Sequence, residues 1–215
     1  MATTFYWIRH GESEANLAGM FLGHGDLRLT ETGRKQAAMT ASYLLGLGIR
    51  PCAIYASDLS RAYTTACTTA EQLGLPITKD PNLREIDAGL WDLVPFAELT
   101  ERFPESYRVW LENIAHAQCD GGESIEQLRQ RILSALEKMA QSHENGVVFV
   151  FSHGTPVRIV AATCLDGSLE AIGKLPWPSN ASVTKVVYDQ GALQLVEYSR
   201  DDFMDDLVTK LPDNV

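Results

Sequence analysis

Apolar residues along this 215-residue chain follow two rhythms. Short unbroken runs, Phe5-Tyr6-Trp7-Ile8, Cys52-Ala53-Ile54-Tyr55-Ala56 and Val147-Val148-Phe149-Val150-Phe151, read as strands buried on both faces. The first strand is expected over residues 4–9, followed by a polar, glycine-rich loop over 11–26 with a helical turn near 13–16. Between the runs, apolar residues recur at helical spacing. Thr30 is the expected N-cap of a helix to about residue 46, with Ala37, Ala41, Leu44 and Leu45 on one face. Ser57 or Asp58 is expected to cap the next, whose core face is Leu59, Ala62, Ala66, Ala70 and Leu73. Residues 77–94 read as loop with one short strand.

Residues 95–117 are helical and aromatic (Phe96, Phe103, Tyr107, Trp110), and Pro104 divides them into two short helices. We expect a small helical lid inserted over 93–120. Ser124 and Gln127 form a capping box opening the clearest helix, with Ile125, Leu128, Ile132, Leu136, Met139 and Ala140 inward. After the strand at 147–151, Thr155 as N-cap and Pro156 at the first position open a helix to about residue 165. A hairpin pairs 182–188 with 192–198 across Asp189-Gln190-Gly191, and the acidic tail after Arg200 is expected to be peripheral. Alternating strands and helices predict an α/β fold: a three-layer sandwich with a mainly parallel sheet, forming a single domain over 1–215.

Composition narrows the function. A net charge of −10 argues against a nucleic-acid or anionic-membrane surface, so phosphate could bind only in a local cationic pocket. The four cysteines are widely spaced, at neither metal nor redox intervals, and fit a reducing compartment. The first apolar run is too short for a signal peptide, and no run has membrane-spanning length. The chain reads as cytoplasmic.

Three of the buried strands end in polar residues: Arg9-His10-Gly11, Ser57-Asp58 and Ser152-His153-Gly154. In open α/β sheets ligands sit beyond the carboxyl ends of strands, where helix N-termini attract anions. Arg61 adds charge at the same edge. A histidine there can be a covalent nucleophile if neutral, and Arg9 and Arg61 would push its pKa down. Arg9, Arg61 and His153 could clamp a transferring phosphoryl group without a metal. An alkoxide leaving group needs a proton; Glu85 is the best-placed acid and Asp87 the runner-up. A carboxyl group that donates near neutrality needs a raised pKa, from burial or a negative substrate. Glu12 reads as a loop brace, Gly11 as the point where the chain turns away, His24 as a surface-loop residue, and Trp91 and the aromatic insertion as packing.

Together these motifs resemble the histidine phosphatase superfamily, the phosphoglycerate-mutase-like proteins, across residues 5–188. The matching pieces are Arg9-His10-Gly11-Glu12 with Asn16, Leu29-Thr30-Glu31-Thr32-Gly33 with Gln36-Ala37, Ser57-Asp58-Leu59 with Arg61-Ala62 and Thr65-Ala66, Leu83-Arg84-Glu85 with Gly89 and Trp91, Gly122-Glu123-Ser124, and Ser152-His153-Gly154. The resemblance implies a phosphohistidine on His10, a phosphate pocket of Arg9, Arg61 and His153, and Glu85 as proton donor. Asn16, the backbone near Gly23, and Gly154 are the implied substrate contacts. Such families often have Gln-Gly where this chain has Leu22-Gly23, and Glu-Gly where it has Asp92-Leu93; the second departure reads as loop variation. The expectation is a phosphomonoester hydrolase needing neither cofactor nor metal, acting on a small-molecule phosphate ester, with a homodimer left open. Its rivals are a phosphoglycerate mutase and a non-catalytic phosphate-ester-binding module. Mutases carry Glu-Arg-x-Tyr-Gly around the acid and a longer insertion; here the chain reads Glu85-Ile86-Asp87-Ala88-Gly89 and the insertion is short.

Overall fold

The computed structural model describes residues 2–209. The buried runs become β1 (Ala2–Arg9), β2 (Ala53–Ala56) and β4 (Val147–Ser152), the short strand before the acid is β3 (Ile77–Lys79), and the hairpin is β5 (Val183–Asp189) with β6 (Ala192–Arg200). The sheet order is β3-β2-β4-β1-β5-β6. The first four strands run parallel, and the hairpin adds an antiparallel edge to β1.

Helices cover both faces, and the two-residue period of the strands sorts the core. Phe5, Trp7, Val148 and Val150 pack with α6 (Ile125–Ser142), α7 (Gly154–Asp166) and the aromatic α4 (Phe96–Arg102) and α5 (Pro104–Glu112). Tyr6, Ile8, Phe149 and Phe151 face α2 (Glu31–Gly46) and α3 (Ser60–Leu73). A short α1 (Glu14–Ala18), capped by Ser13 and Asn16, follows the first histidine. This is the three-layer α/β arrangement with a mostly parallel sheet. Among the described residues no helix is long and apolar enough to cross a membrane.

Several expected boundaries differ, each for a reason that bears on the site. The N-cap of α3 is Leu59, without a side-chain cap, rather than Ser57 or Asp58. Asp58 instead holds Arg84, Ser57 meets His153, and Asp26 accepts from the Ser60 N–H at 2.7 Å. Helix α7 begins at Gly154 with His153 at the cap, not at Thr155; the Thr155 N–H donates to Glu85 Oε2 at 3.2 Å.

Gly11 allows close approach: a Cβ there would lie 2.4 Å from the Gly33 carbonyl oxygen, and one on Gly33 would lie 2.0 Å from that of Glu12. The tail is not peripheral as far as it is described. Met204 is fully buried, Phe203 stacks on Tyr43 with centroids 4.4 Å apart, and Gln36 Nε2 donates to the Leu207 carbonyl at 2.7 Å. Residues 210–215 of that tail lie outside the described residues.

Candidate active site

Parallel pairing of β1 with β4 puts Arg9 opposite Ser152, so the histidines that follow emerge side by side. The His10 and His153 rings lie 5.1 Å apart at 64°. His10 Nδ1 is 2.7 Å from the Gly11 carbonyl oxygen, which can only accept. Nδ1 therefore carries the proton, and the lone pair is on Nε2. His153 Nε2 is 2.8 Å from Ser57 Oγ, just past the end of β2, and its buried Nδ1 has no partner among the described residues.

Arg61 reaches in from the first turn of α3, almost fully buried. Its Nη1 and Nη2 donate to the carbonyls of Gly25 (2.9 Å) and Gly23 (2.8 Å), leaving Nε unpaired. Arg9 Nη1 donates to the Pro178 carbonyl at 2.5 Å, and its Nε is also unpaired. Burial lowers both arginines to about 10, which keeps them cationic at neutral pH. Burial first, then Arg61 and Arg9, holds His10 well below its ordinary value; burial, Arg61 and His10 do the same to His153. The site thus offers two cations, two neutral imidazoles and N–H donors suited to an anion.

Glu85 is buried at the same edge, with Oε1 accepting from Ile86 N at 2.9 Å and Oε2 from Thr155 N on α7. Arg131 of α6 fixes its loop, donating to the carbonyls of Asn82, Arg84 and Glu85 while paired with Glu123 at 2.8 Å. Asp87, the runner-up acid, instead accepts from Gly89 N. Arg9, His10, Arg61, Glu85, Asn16 and Gly154 all line one cleft, and His153 adjoins it through His10. Gly23 does not line it: its N–H goes to Asp92 and its carbonyl to Arg61, and neighbouring Leu22 faces the cleft. Glu12 braces the loop by accepting from Thr30 at 2.6 Å, and His24 is half-buried with Nε2 on the Glu85 carbonyl. Trp91 is fully buried, whereas Phe96 and Trp110 from the aromatic helices form cleft wall with Met20, Phe21, Leu22 and Trp177.

Sequence reasoning missed four supports. Arg131 looks like an ordinary helix charge. Trp177 stands in a loop without periodicity. Asn180 donates to the His10 carbonyl at 3.1 Å and to Asn16 Oδ1 at 3.2 Å. Asp92 is more than loop variation, since its two oxygens accept from Gly23 and Gly25 N–H, the segment that Arg61 grips. A signal for the last existed: Leu93 has φ 64, the left-handed region glycine tolerates best, at the position where related sequences often carry glycine.

The depressed imidazoles make a pH prediction. Below pH 6.5 the unfolded chain protonates both histidines while the folded chain does not, so stability falls on acidification. The expected slope reaches about 1.4 kcal/mol per pH unit for each imidazole. Urea midpoints between pH 7.5 and 5.5 should drop accordingly, and a flat profile would contradict neutral buried histidines. Asp58 does not confuse this window, because Arg84 holds it below the ordinary carboxylate range.

The sequence profile of the histidine phosphatase superfamily (branch 1) matches residues 5–201. The chain is 36% identical over 162 residues to phosphoserine phosphatase 1 of Hydrogenobacter thermophilus, covering 75% of this chain and 76% of that protein. It is 36% identical over 186 residues to a metal-independent phosphoserine phosphatase of Arabidopsis thaliana, covering 86% and 76%. A mycobacterial glucosyl-3-phosphoglycerate phosphatase, solved in complex with VO3, superposes with a TM-score of 0.84 at 27% identity, covering 92% and 99% of the two chains. The chain spans about half (47%) the length of other relatives, such as a bifunctional protein of Mycobacterium tuberculosis that is 34% identical. A probable phosphoglycerate mutase of Erwinia tasmaniensis is 29% identical.

Proposed function

The chain belongs to the histidine phosphatase superfamily, branch 1, and on that footing we propose that it hydrolyses small phosphomonoesters through a phosphohistidine on His10. The His10 Nε2 lone pair attacks phosphorus, the ester P–O bond breaks, and Glu85 protonates the departing oxygen. Water then attacks phosphorus and gives a proton to Glu85, the P–N bond breaks, and phosphate leaves with His10 neutral again. Arg9, Arg61 and His153 stabilise the equatorial oxygens, so the chemistry needs no resident metal. Ser57 donates to His153 Nε2 and thereby presents Nδ1–H to the phosphoryl group. Asn16 and the Gly154 N–H add contacts, and the backbone near Gly23 acts through Arg61.

The observation that carries this reading is the 2.7 Å contact of His10 Nδ1 with the Gly11 carbonyl oxygen, from which the tautomer follows. Its proton is tied to Gly11, which turns Nε2 toward a cleft shared with Glu85 and two buried arginines. We read α4 and α5 as a lid inserted in a single catalytic domain, since they contribute Phe96 and Trp110 to the cleft wall. That wall fits an apolar or aromatic leaving group. The four free cysteines support a cytoplasmic setting. The test is a panel of phosphoserine, 3-phosphoglycerate, phenyl phosphate and naphthyl phosphate, with vanadate as inhibitor. Free phosphate should appear, with kcat/KM highest for the aryl esters. Isomerisation of 3-phosphoglycerate without phosphate release would favour a mutase, and binding without turnover a non-catalytic module.

A further inference from the structure

Trp110 and Trp177, stacked with centroids 6.2 Å apart, line the catalytic cleft and also a second cavity. Arg158, one helical turn beyond Gly154 on α7, lines that second cavity and is only 5% exposed. Among the described residues its hydrogen bonds leave from Nη2, to the carbonyls of Ile172 (2.8 Å) and Leu175 (3.0 Å), and its buried Nε has no partner. Its guanidinium lies over the Trp177 ring, 4.2 Å from the centroid. Burial lowers it to about 10, so it remains a cation at neutral pH.

Among the described residues no carboxylate pairs with Arg158. The two that line the same cavity are engaged elsewhere, Glu112 with Arg108 at 3.0 Å and Glu170 with His116 at 2.9 Å. Two carbonyls and an indole face offset only part of the cost of burying a cation, and Nε and Nη1, which make no hydrogen bond among the described residues, keep donors suited to a carboxylate or phosphate oxygen. Trp177 also connects the two sites: its ring edge lies 3.3 Å from where a Gly154 Cβ would stand, while its face meets Arg158.

We propose that this cavity is a second anion subsite, in which Arg158 takes a carboxylate or second phosphate carried by the substrate beyond its apolar portion. The proposal rests on the phosphomonoesterase reading. A molecule reaching both sites holds its two anionic groups at least the width of an indole ring apart.

The experiment uses biphenyl-4-yl phosphate carrying a 4'-carboxylate, a 4'-phosphate or a neutral 4'-carboxamide. In the unaltered chain at least one acid should exceed the amide tenfold or more in kcat/KM, mainly through KM, and which acid does so identifies the anion. Arg158→Met keeps an unbranched side chain without the charge and should bring the acid-to-amide ratio close to one, while Arg158→Lys should keep part of it. A bracing arginine predicts equal losses for acid and amide, leaving the ratio fixed, and that result overturns the subsite. So does a wild-type chain without preference for either acid, a measurement that needs no variant to fold. If none of the esters releases phosphate, the hydrolase reading itself fails and takes the subsite with it.

Discussion

His10→Ala is expected to lower kcat for phosphate release by at least about a thousandfold, because it removes the atom that bonds to phosphorus. The loss should be the same for every leaving group, since no alternative nucleophile stands in its place. His153 has its ring 5.1 Å from that of His10, and its Nε2 is engaged with Ser57. The fold should survive: the His10 backbone bonds, its N–H to Ser152 and its carbonyl from Ala181 and Asn180, do not use the imidazole. Binding of vanadate should weaken far less than turnover, because Arg9 and Arg61 remain. Stopped assays on a freshly folded variant, with circular dichroism as the control, read the effect. Activity within tenfold of the unaltered chain would remove His10 from the chemistry.

Glu85→Gln is expected to lower kcat by about a hundredfold to ten-thousandfold for alkyl phosphates, the range that general acid catalysis commonly supplies. The effect should shrink for 4-nitrophenyl phosphate, whose leaving group needs little help from a proton. That dependence separates chemistry from structure. Glutamine offers one acceptor where the carboxylate serves both Ile86 N and Thr155 N, so one buried N–H loses its partner at a cost of about 1–3 kcal/mol. A purely structural defect would depress both substrates alike.

Much of the fold was legible because burial imposes a period. The runs beginning at Phe5 and Val147 are apolar on both faces, as strands covered by helices on both sides are, and their parallel pairing delivers His10 and His153 to one edge. The capping box at Ser124 and the break at Pro104 also appear where local chemistry places them. What was not legible depends on residues far apart in sequence. Asp58 has the chemistry of a cap yet holds Arg84, and the α7 cap is displaced because Glu85 receives the Thr155 N–H. Arg131 and Asn180 act by gripping irregular backbone, and Trp177 by lying under the Arg158 guanidinium, for which no periodic signal exists. The tail returns to His10 through Thr209, whose hydroxyl donates at 2.9 Å to Oδ1 of Asn180, the residue bonded to the His10 carbonyl. That link joins residues 29 apart in sequence and leaves no local trace.

The site residues divide by role along the same line. His10, Arg9, Arg61, His153 and Glu85 came from motif and strand-end logic, and the cleft gathers them. Two carbonyl bonds from Arg61 and two N–H bonds to Asp92 tie residues 23–25 to the site through the Arg61 side chain.

The central claim is a covalent bond between phosphorus and His10 Nε2, and rapid quenching tests it most directly. Mixing the chain with a labelled aryl phosphate, stopping the reaction in base and sequencing the labelled peptide by mass spectrometry should place one acid-labile, base-stable phosphoryl group on His10. Label on any other residue, or turnover with no phosphoenzyme trapped at any quench time, would contradict the account.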